Sequence, residues 1–204
     1  MKIVVATHNK DKFKELYHGL KSLKIELLSL EDFPEIGEII ENGNTLEENA
    51  LIKARTVNQL TSLPAISDDT GLFVDALNGD PGIYSARYAG KNSTYLDNVN
   101  KMLHEMKNIP EGKRQAKFST VMAYVDGKRE LIAEGFVKGI ISNKIKGIGG
   151  FGYDSIFYIR NKGKTFSEMS IEEKNLISHR SRAIDALKAK LASDLSNLNI
   201  EENA

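Results

Sequence analysis

Apolar residues come first as an unbroken run, Ile3-Val4-Val5-Ala6. The run is too short for a buried helix and rich in β-branched residues, so it predicts a strand. It opens directly into Thr7-His8-Asn9, after which Phe13, Leu16, Tyr17 and Leu20 recur at helical spacing, with Asn9 as candidate N-cap. Ile25 to Ser29 predicts a second strand, and residues 30–44, carrying Pro34, Gly37 and Gly43, a loop. Thr45-Leu46-Glu47-Glu48 has the form of a capping box. Leu46, Ala50, Ala54 and Val57 continue a helical stripe, with Lys53 read on the opposite, solvated face. Pro64 stops that helix. A short strand, Ala65-Ile66-Ser67, then ends at Asp68-Asp69-Thr70-Gly71, with the apolar pair Phe73-Val74 beyond.

Residues 78–93 are glycine-rich and irregular. Leu96, Val99, Leu103 and Met106 mark a third helix, closed before Pro110. Phe118 to Val125 and Glu130 to Ile141 flank Asp126-Gly127, a hairpin signal. After glycines at 147–152, Ser155 to Ile159 predicts a strand, and Ser170-Ile171-Glu172-Glu173 is a further capping box. The final helix is expected from about Ser178, with Ile184, Leu187, Leu191, Leu195 and Leu198 on one face and Ile200 to Ala204 frayed. Strands and helices alternate early and a hairpin sits in the middle. The expected fold is therefore α/β with a mixed central sheet flanked by helices, residues 1–204 forming one domain.

Composition narrows the function classes. Twenty-eight Lys plus Arg balance 28 Asp plus Glu, and a chain of zero net charge is poorly equipped for the phosphate neutralisation that nucleic-acid binding draws on. No nucleic-acid partner is expected. A small anion needs only a local cluster of cations. The absence of cysteine removes disulfides, thiolate nucleophiles and Cys-based zinc sites and fits a reducing compartment. With no membrane-length apolar run and no signal-peptide core, the expectation is a cytoplasmic protein with no membrane partner.

Read singly, the candidate sites each have two explanations. Thr7, His8, Asn9 and Lys12 lie where a strand meets a helix N-terminus, which suits an anion but equally suits an ordinary cap with solvated lysines. Asp68 and Asp69 could hold magnesium or activate water, or could belong to an Asp-rich turn. Neighbouring side chains in extended backbone point oppositely, so only one of the pair need face a ligand. Among the acidic residues of 38–48, spacing alone selects no second metal carboxylate. Gly147-Ile148-Gly149-Gly150-Phe151-Gly152 satisfies G-x-G-x-x-G, yet a strand rather than a helix follows, which excludes a dinucleotide fingerprint. The remaining options for Phe151, Gly152, Tyr153 and Asp154 are a base-stacking platform or a loop whose aromatics belong to the core. Lys174, His179 and Arg180 gather donors near a helix start, and the bland alternative is a cationic surface.

The order of these blocks carries more than any one of them. Thr7-x-Asn9-x-x-Lys12, Glu48-Asn49-Ala50-x-x-Lys53-Ala54 and Ser67-Asp68-Asp69-Thr70-Gly71-Leu72 come first. Pro81-Gly82-Ile83-Tyr84-Ser85-Ala86-Arg87-Tyr88, Gly150-Phe151-Gly152-Tyr153-Asp154 and Glu172-x-Lys174-Asn175-x-x-Ser178-His179-Arg180 follow. Together they resemble the Ham1, or inosine triphosphatase, family of non-canonical purine nucleoside triphosphate pyrophosphatases. The resemblance implies an α/β fold with two lobes flanking a nucleotide cleft, a homodimer, and magnesium-dependent release of monophosphate and pyrophosphate from substrates such as ITP, dITP and XTP. It implies that Thr7 to Lys12 and Lys53 grip the triphosphate. Asp69 would be general base and metal carboxylate, with Thr70 beside the substrate and Glu41, in Glu41-Asn42-Gly43, as the second metal carboxylate. Phe151 to Asp154 would stack on the base and reach the ribose, and Lys174, His179 and Arg180 would read the base. Donors at those three positions suit a 6-oxo purine and oppose the amino group of adenine. A pyrophosphatase for pyrimidine or modified nucleotides, and a nucleotide-binding module without hydrolysis, are the alternative readings.

Overall fold

A computed structural model of the chain describes residues 1–23 and 25–201, with side chains described as far as Ala192. The chain forms two compact units that interleave in sequence. The first comprises Met1–Asp69, Thr120–Gly135 and Arg180–Ala204, the second Thr70–Ser119 and Phe136–His179.

In the first unit β1 (Lys2–Val5) pairs in parallel with β2 (Glu26–Ser29), Val4 opposite Leu28, and with the start of β3 (Ala65–Val74), Val4 opposite Ala65. Helix α1 (Lys10–Leu20) opens where Asn9, in extended backbone, accepts hydrogen bonds from the amides of Asp11 and Lys12. Helix α2 (Leu46–Thr61) is capped by Thr45, whose hydroxyl accepts from the Glu48 amide. The capping box is only half made, since the Glu48 carboxylate accepts from the Asn44 amide instead. Leu16 and Leu20 of α1, Ile66 of β3 and Ala183, Ile184, Leu187 and Leu191 of α5 (His179–Glu201) form the core with Ile3, Val5, Met122 and Tyr124. Burial of such side chains, about 1.5–3 kcal/mol each, fixes both helices against the strands. Leu195 and Leu198, expected on the same face, and Glu202–Ala204, expected to fray, lie outside the described side chains and residues.

In the second unit β3 pairs antiparallel with β4 (Pro81–Gly82), and β7 (Phe157–Ile159) pairs antiparallel with both β6 (Glu130–Ile141) and β8 (Lys164–Thr165). Helix α3 (Tyr95–Glu105) has a full capping box between Thr94 and Asp97. It buries Val99, Met102 and Met106 beside Leu72, Val74, Phe118, Phe157 and Phe166; Leu96, expected on that face, is exposed. Arg114 is buried and donates to the carbonyls of Met106, Ile109, Ile141 and Ser142, so one cation satisfies four backbone acceptors. Helix α4 (Ile171–Asn175) begins at Ser170 with the expected capping box complete.

Strand β5 (Gln115–Val125) and β6 form the expected hairpin, although its loop is longer than two residues, Asp126 accepting from the amides of Lys128 and Arg129. The sheet order is β2-β1-β3-β5-β6-β7-β8, with β4 beside β3. Parallel and antiparallel pairs coexist, so the sheet is mixed, as expected.

One expectation fails in an informative way. The short strand thought to end before Asp68-Asp69 is a continuous ten-residue strand from Ala65 to Val74. The acidic pair is therefore in mid-strand, at neither a strand end nor a turn. Gly71 belongs there because a Cβ would stand 2.7 Å from the Gly82 carbonyl oxygen of β4.

Candidate active site

Alternation along β3 sorts its side chains. Ile66 and Asp68 face α1 and α5, where Ile66 enters the core and Asp68 meets Lys12 of α1 and Arg180 of α5. Ser67 and Asp69 face α2. The Ser67 hydroxyl donates to the Ala50 carbonyl, and Asp69 meets Lys53 and Asn49. Each aspartate thus has its own partners.

Asp68 is fully buried. Its Oδ2 accepts from Lys12 Nζ at 3.1 Å and from Arg180 Nε at 3.2 Å, and Arg180 also pairs with Glu15 of α1. Burial resists the charge on Asp68, but Lys12, Arg180 and Lys53 overcome it and hold the carboxyl far below the usual carboxylate range. Burial likewise opposes the charge of Arg180, and Asp68 and Glu15 reverse that, raising its already high pKa. Lys12 comes out lowered. Burial is the main cause, opposed by Asp68 and reinforced by the like charges of Lys53 and Arg180.

The second group has a different balance. Lys53 Nζ lies 3.0 Å from Asp69 Oδ1 and 3.0 Å from Glu41 Oε2. The two carboxylate oxygens therefore stand no more than twice that distance apart. Burial pulls the Lys53 pKa down, but Asp69, Glu41 and Asp68 prevail and it is raised. The Asn49 amide donates to Asp69 Oδ2 at 3.4 Å and accepts from the Gly43 amide at 2.9 Å.

In the Asp68 group two cations, Lys12 and Arg180, face two carboxylates, Asp68 and Glu15. In the Asp69 group one ammonium faces two carboxylates. The surplus negative charge therefore falls on Asp69 and Glu41, and Glu41 is the more open of the two, its side chain 30% exposed against 10% for Asp69. A divalent cation fits that pair. Among the ion pairs of the described residues, Asp68 is matched by Lys12 and Arg180, the latter shared with Glu15.

The helical-stripe reading of Lys53 is corrected here. Lys53 is only 7% exposed. At 3.6 residues per turn it lies about 20° from Leu46, adjoining the arc of Leu46, Ala50 and Val57 rather than opposite it. The strand-to-helix loop sits in the same unit. Thr7 Oγ accepts from the Asn9 amide, His8 Nε2 is 3.0 Å from the Gly37 carbonyl, and the Asn9 carboxamide oxygen caps α1.

The second unit gathers the remaining candidates. Asp154 Oδ2 accepts from the Phe151 amide at 3.0 Å and from Lys174 Nζ at 2.6 Å. Lys174 is itself buried, its ammonium 5.0 Å from the Phe151 ring centre and 5.6 Å from that of Phe166. Gly150 and Gly152 both have positive φ, and a Cβ on Gly150 would stand 2.2 Å from Asp154 Oδ2. Tyr153 takes the structural option weighed for this loop. It is buried in the core, its hydroxyl donates to the Ser85 carbonyl, and burial raises its pKa well above the usual phenol range. Phe151 is half-buried, 6.0 Å from Tyr95. His179 stacks on Phe118 at 4.5 Å and 14°. Thr70 is half-buried, the first residue of this unit.

The structure thus brings Lys12, Glu41, Lys53, Asp69 and Arg180 into one unit, and Phe151, Asp154, Lys174 and His179 into the other. Arg180, expected beside Lys174 and His179, has Asp68 and Glu15 as its ion partners. Two residues escaped the sequence reading of sites. Glu15, on α1 between the apolar positions Phe13 and Leu16, was not singled out. Asn49 lay within a quoted block, and a polar side chain on the apolar stripe of α2 was the signal that could have marked it.

Fold and site together define an α/β protein with a mixed sheet, in which carboxylates in mid-strand are ringed by buried cations. The chain belongs to the Ham1 family, whose model matches residues 3–190. A protein of Thermoanaerobacter sp. (strain X514) named dITP/XTP pyrophosphatase is 47% identical over 188 residues, 92% of this chain and 95% of that protein. The structure of a HAM1 protein from Coxiella burnetii superposes with a TM-score of 0.86 at 38% identity, covering 95% of this chain and 99% of that one. The Staphylococcus aureus Ham1 protein gives 0.85 at 35% identity, over 95% and 100%.

Proposed function

We propose that this protein hydrolyses non-canonical purine nucleoside triphosphates, dITP, ITP and XTP among them, to the monophosphate and pyrophosphate. The observation that carries the reading is the carboxylate surplus around Lys53 in a chain of the Ham1 family. The name borne by the Thermoanaerobacter relative supports the substrate class.

Asp69 and Glu41 would hold a magnesium ion. Two carboxylates, with substrate oxygens and water completing the shell, are an ordinary set for that ion. Among the described residues no group of three or more His, Asp or Glu offers a fuller one. Bound there, the metal supplies positive charge to phosphate oxygens that become more negative as pyrophosphate departs. Lys12 and Lys53 add fixed positive charge and donors for the triphosphate, with Thr7, His8 and Asn9 lining the turn before α1. Electrostatic stabilisation and positioning of this kind account for most catalysis in phosphoryl transfer. Asp69 orients a water and takes its proton as the water oxygen bonds the α-phosphorus. The bond from that phosphorus to the bridging oxygen breaks, and pyrophosphate leaves with the electron pair.

Lys174 and His179 are assigned to the base, with the Phe151 to Asp154 turn. Asp154 holds the Lys174 ammonium in place. An ammonium is a donor only, so it favours a 6-oxo purine over the 6-amino group of adenine. Arg180, bonded to Asp68 and Glu15, is assigned to the charge cluster.

The test is incubation of the purified protein with inosine triphosphate and magnesium, with pyrophosphate resolved from orthophosphate. Pyrophosphate release that stops on chelation supports the reading. Orthophosphate as product, or binding without turnover, overturns it, and faster hydrolysis of thymidine triphosphate would favour a pyrimidine substrate. The homodimer implied by the resemblance, and the cytoplasmic location expected from the sequence, belong with this proposal. Sedimentation of the purified protein tests the dimer. Among the described residues no helix is long and apolar enough to cross a membrane.

A further inference from the structure

Asn49 is buried on the inner face of α2, where an unpaired carboxamide would be costly. It is not unpaired. Its oxygen accepts from the Gly43 amide at 2.9 Å, two residues after Glu41, and its nitrogen donates to Asp69 Oδ2 at 3.4 Å. The two contacts require opposite chemistry, an acceptor for an N–H and a donor for a carboxylate. A carboxamide carries both, which also fixes which end of the amide points where. The loop packs closely at this place. A Cβ on Gly43 would lie 2.6 Å from Glu48 Cβ and 2.7 Å from Asn49 Oδ1.

We propose that Asn49 is a positioning residue that sets the spacing of the two metal carboxylates. One end of its amide ties down the loop that carries Glu41, while the other orients the Asp69 carboxylate, whose second oxygen is held by Lys53. The inference rests on the reading of Glu41 and Asp69 as metal ligands. Groups that orient ligands in this way are worth roughly 10–100-fold in metal affinity. Their loss acts on metal binding before it acts on the fold.

The test uses the full chain with a non-hydrolysable α,β-imido analogue of inosine triphosphate. Mn2+ is titrated in, and free Mn2+ is read by its paramagnetic resonance. Wild-type protein should bind Mn2+ beyond what the nucleotide alone holds, and Glu41→Gln should abolish that binding. If the wild type binds none, the metal reading itself fails. Given wild-type binding, Asn49→Ala should raise the Mn2+ dissociation constant about 10-fold or more. Gly43→Ala, which displaces the loop without touching Asp69, should do the same, and the double variant should be scarcely worse than either single one. Asn58→Ala is the structural control. Asn58 lies on the same helix and donates to the Leu63 carbonyl, so its loss lowers the melting temperature and leaves Mn2+ binding unchanged. Unaltered Mn2+ affinity in Asn49→Ala, or fully additive effects in the double variant, overturns the proposal. Should Asn49→Ala fail to fold, Gly43→Ala alone decides, with wild-type affinity as the refuting result.

Discussion

Asp68 offers the sharpest test of the charge arrangement, because it is fully buried and pairs with two cations. Asp68→Asn keeps shape and an acceptor but removes the charge. The 3.1 Å contact with Lys12 alone is worth about 5 kcal/mol at an effective dielectric constant of about 20. Desolvation of the pair offsets part of that, and removing one partner of a buried pair typically costs about 3–5 kcal/mol. We expect a loss of about 3 kcal/mol at pH 7, or roughly 6–12 °C in Tm for a chain of this size. Lys12 and Arg180 both lie in the first unit, so an unfolding step confined to that unit carries the loss of these two pairs.

The sign of the pH dependence follows from the depressed pKa. A carboxyl held far below its unfolded value of about 3.9 contributes stability that is complete above that value and drains away as pH falls through and below it. The difference between wild type and Asp68→Asn should therefore be full at pH 7 and smaller by about 1 kcal/mol at pH 3. Urea denaturation at the two pH values measures it, with unchanged slope and a lowered midpoint. Activity adds a second readout. Lys12 already has a lowered pKa, and Asp68 is the main group opposing that. In the variant Lys12 should lose its proton at lower pH, moving the alkaline limb of kcat/KM towards acid. A variant as stable as wild type at pH 7, with the same stability gap at pH 3, would falsify the buried-pair argument.

Four further outcomes are expected. Asp69→Asn should abolish turnover while retaining most nucleotide affinity, and a near-normal rate refutes its role as base. Lys174→Met should reduce the preference for inosine over adenosine triphosphate by roughly 10-fold or more, read as a ratio of kcat/KM values; unchanged selectivity counts against base reading. Gly150→Ala, with a Cβ 2.2 Å from Asp154 Oδ2 and positive φ, should cost about 1–3 kcal/mol by thermal melting and weaken the same selectivity. Tyr153→Phe removes the hydrogen bond to the Ser85 carbonyl, and by denaturation should cost about 1 kcal/mol, since the ring remains buried.

Which features could be read from the sequence follows from the range of the interactions behind them. Asn9, Thr45 and Ser170 were legible as caps because a cap is decided within three or four residues. Strand β3 was not, because Asp and Gly are poor strand residues by local propensity. What keeps Asp68 and Asp69 in the strand is supplied from elsewhere, by Lys12 and Arg180 on one face and Lys53 on the other. The pairing of Arg180 with Glu15 spans 165 positions, and no local pattern announces it. The misplacement of Lys53 was different. The helical angle was available from the spacing, and a lysine adjoining an apolar stripe was the cue to a buried partner.

The charge balance also explains why the cations are not simply a phosphate trap. Among the described residues Lys12, Lys53 and Arg180 each face a carboxylate already, and the carboxylates outnumber them by one. A bare polyphosphate brought to this cluster meets net negative charge, and the attraction of each lysine is largely spent on its neighbour. On the proposed reading, a divalent cation held by Asp69 and Glu41 would change the sign of the group. Lys53, now restrained by both carboxylates, would then share them with the ion and could turn its ammonium to a phosphate oxygen. Under the proposed reading, metal dependence is thus a property of the protein's own charge count as much as of the substrate's. The consequence separates the two sources. Glu41→Gln removes the surplus, so it should bind metal-free inosine triphosphate more tightly than the wild type does while hydrolysing the magnesium complex more slowly. Equilibrium dialysis in the presence of a chelator reads the first effect, and weaker or equal binding by the variant would show that the resting charge of the cluster does not govern access of the nucleotide.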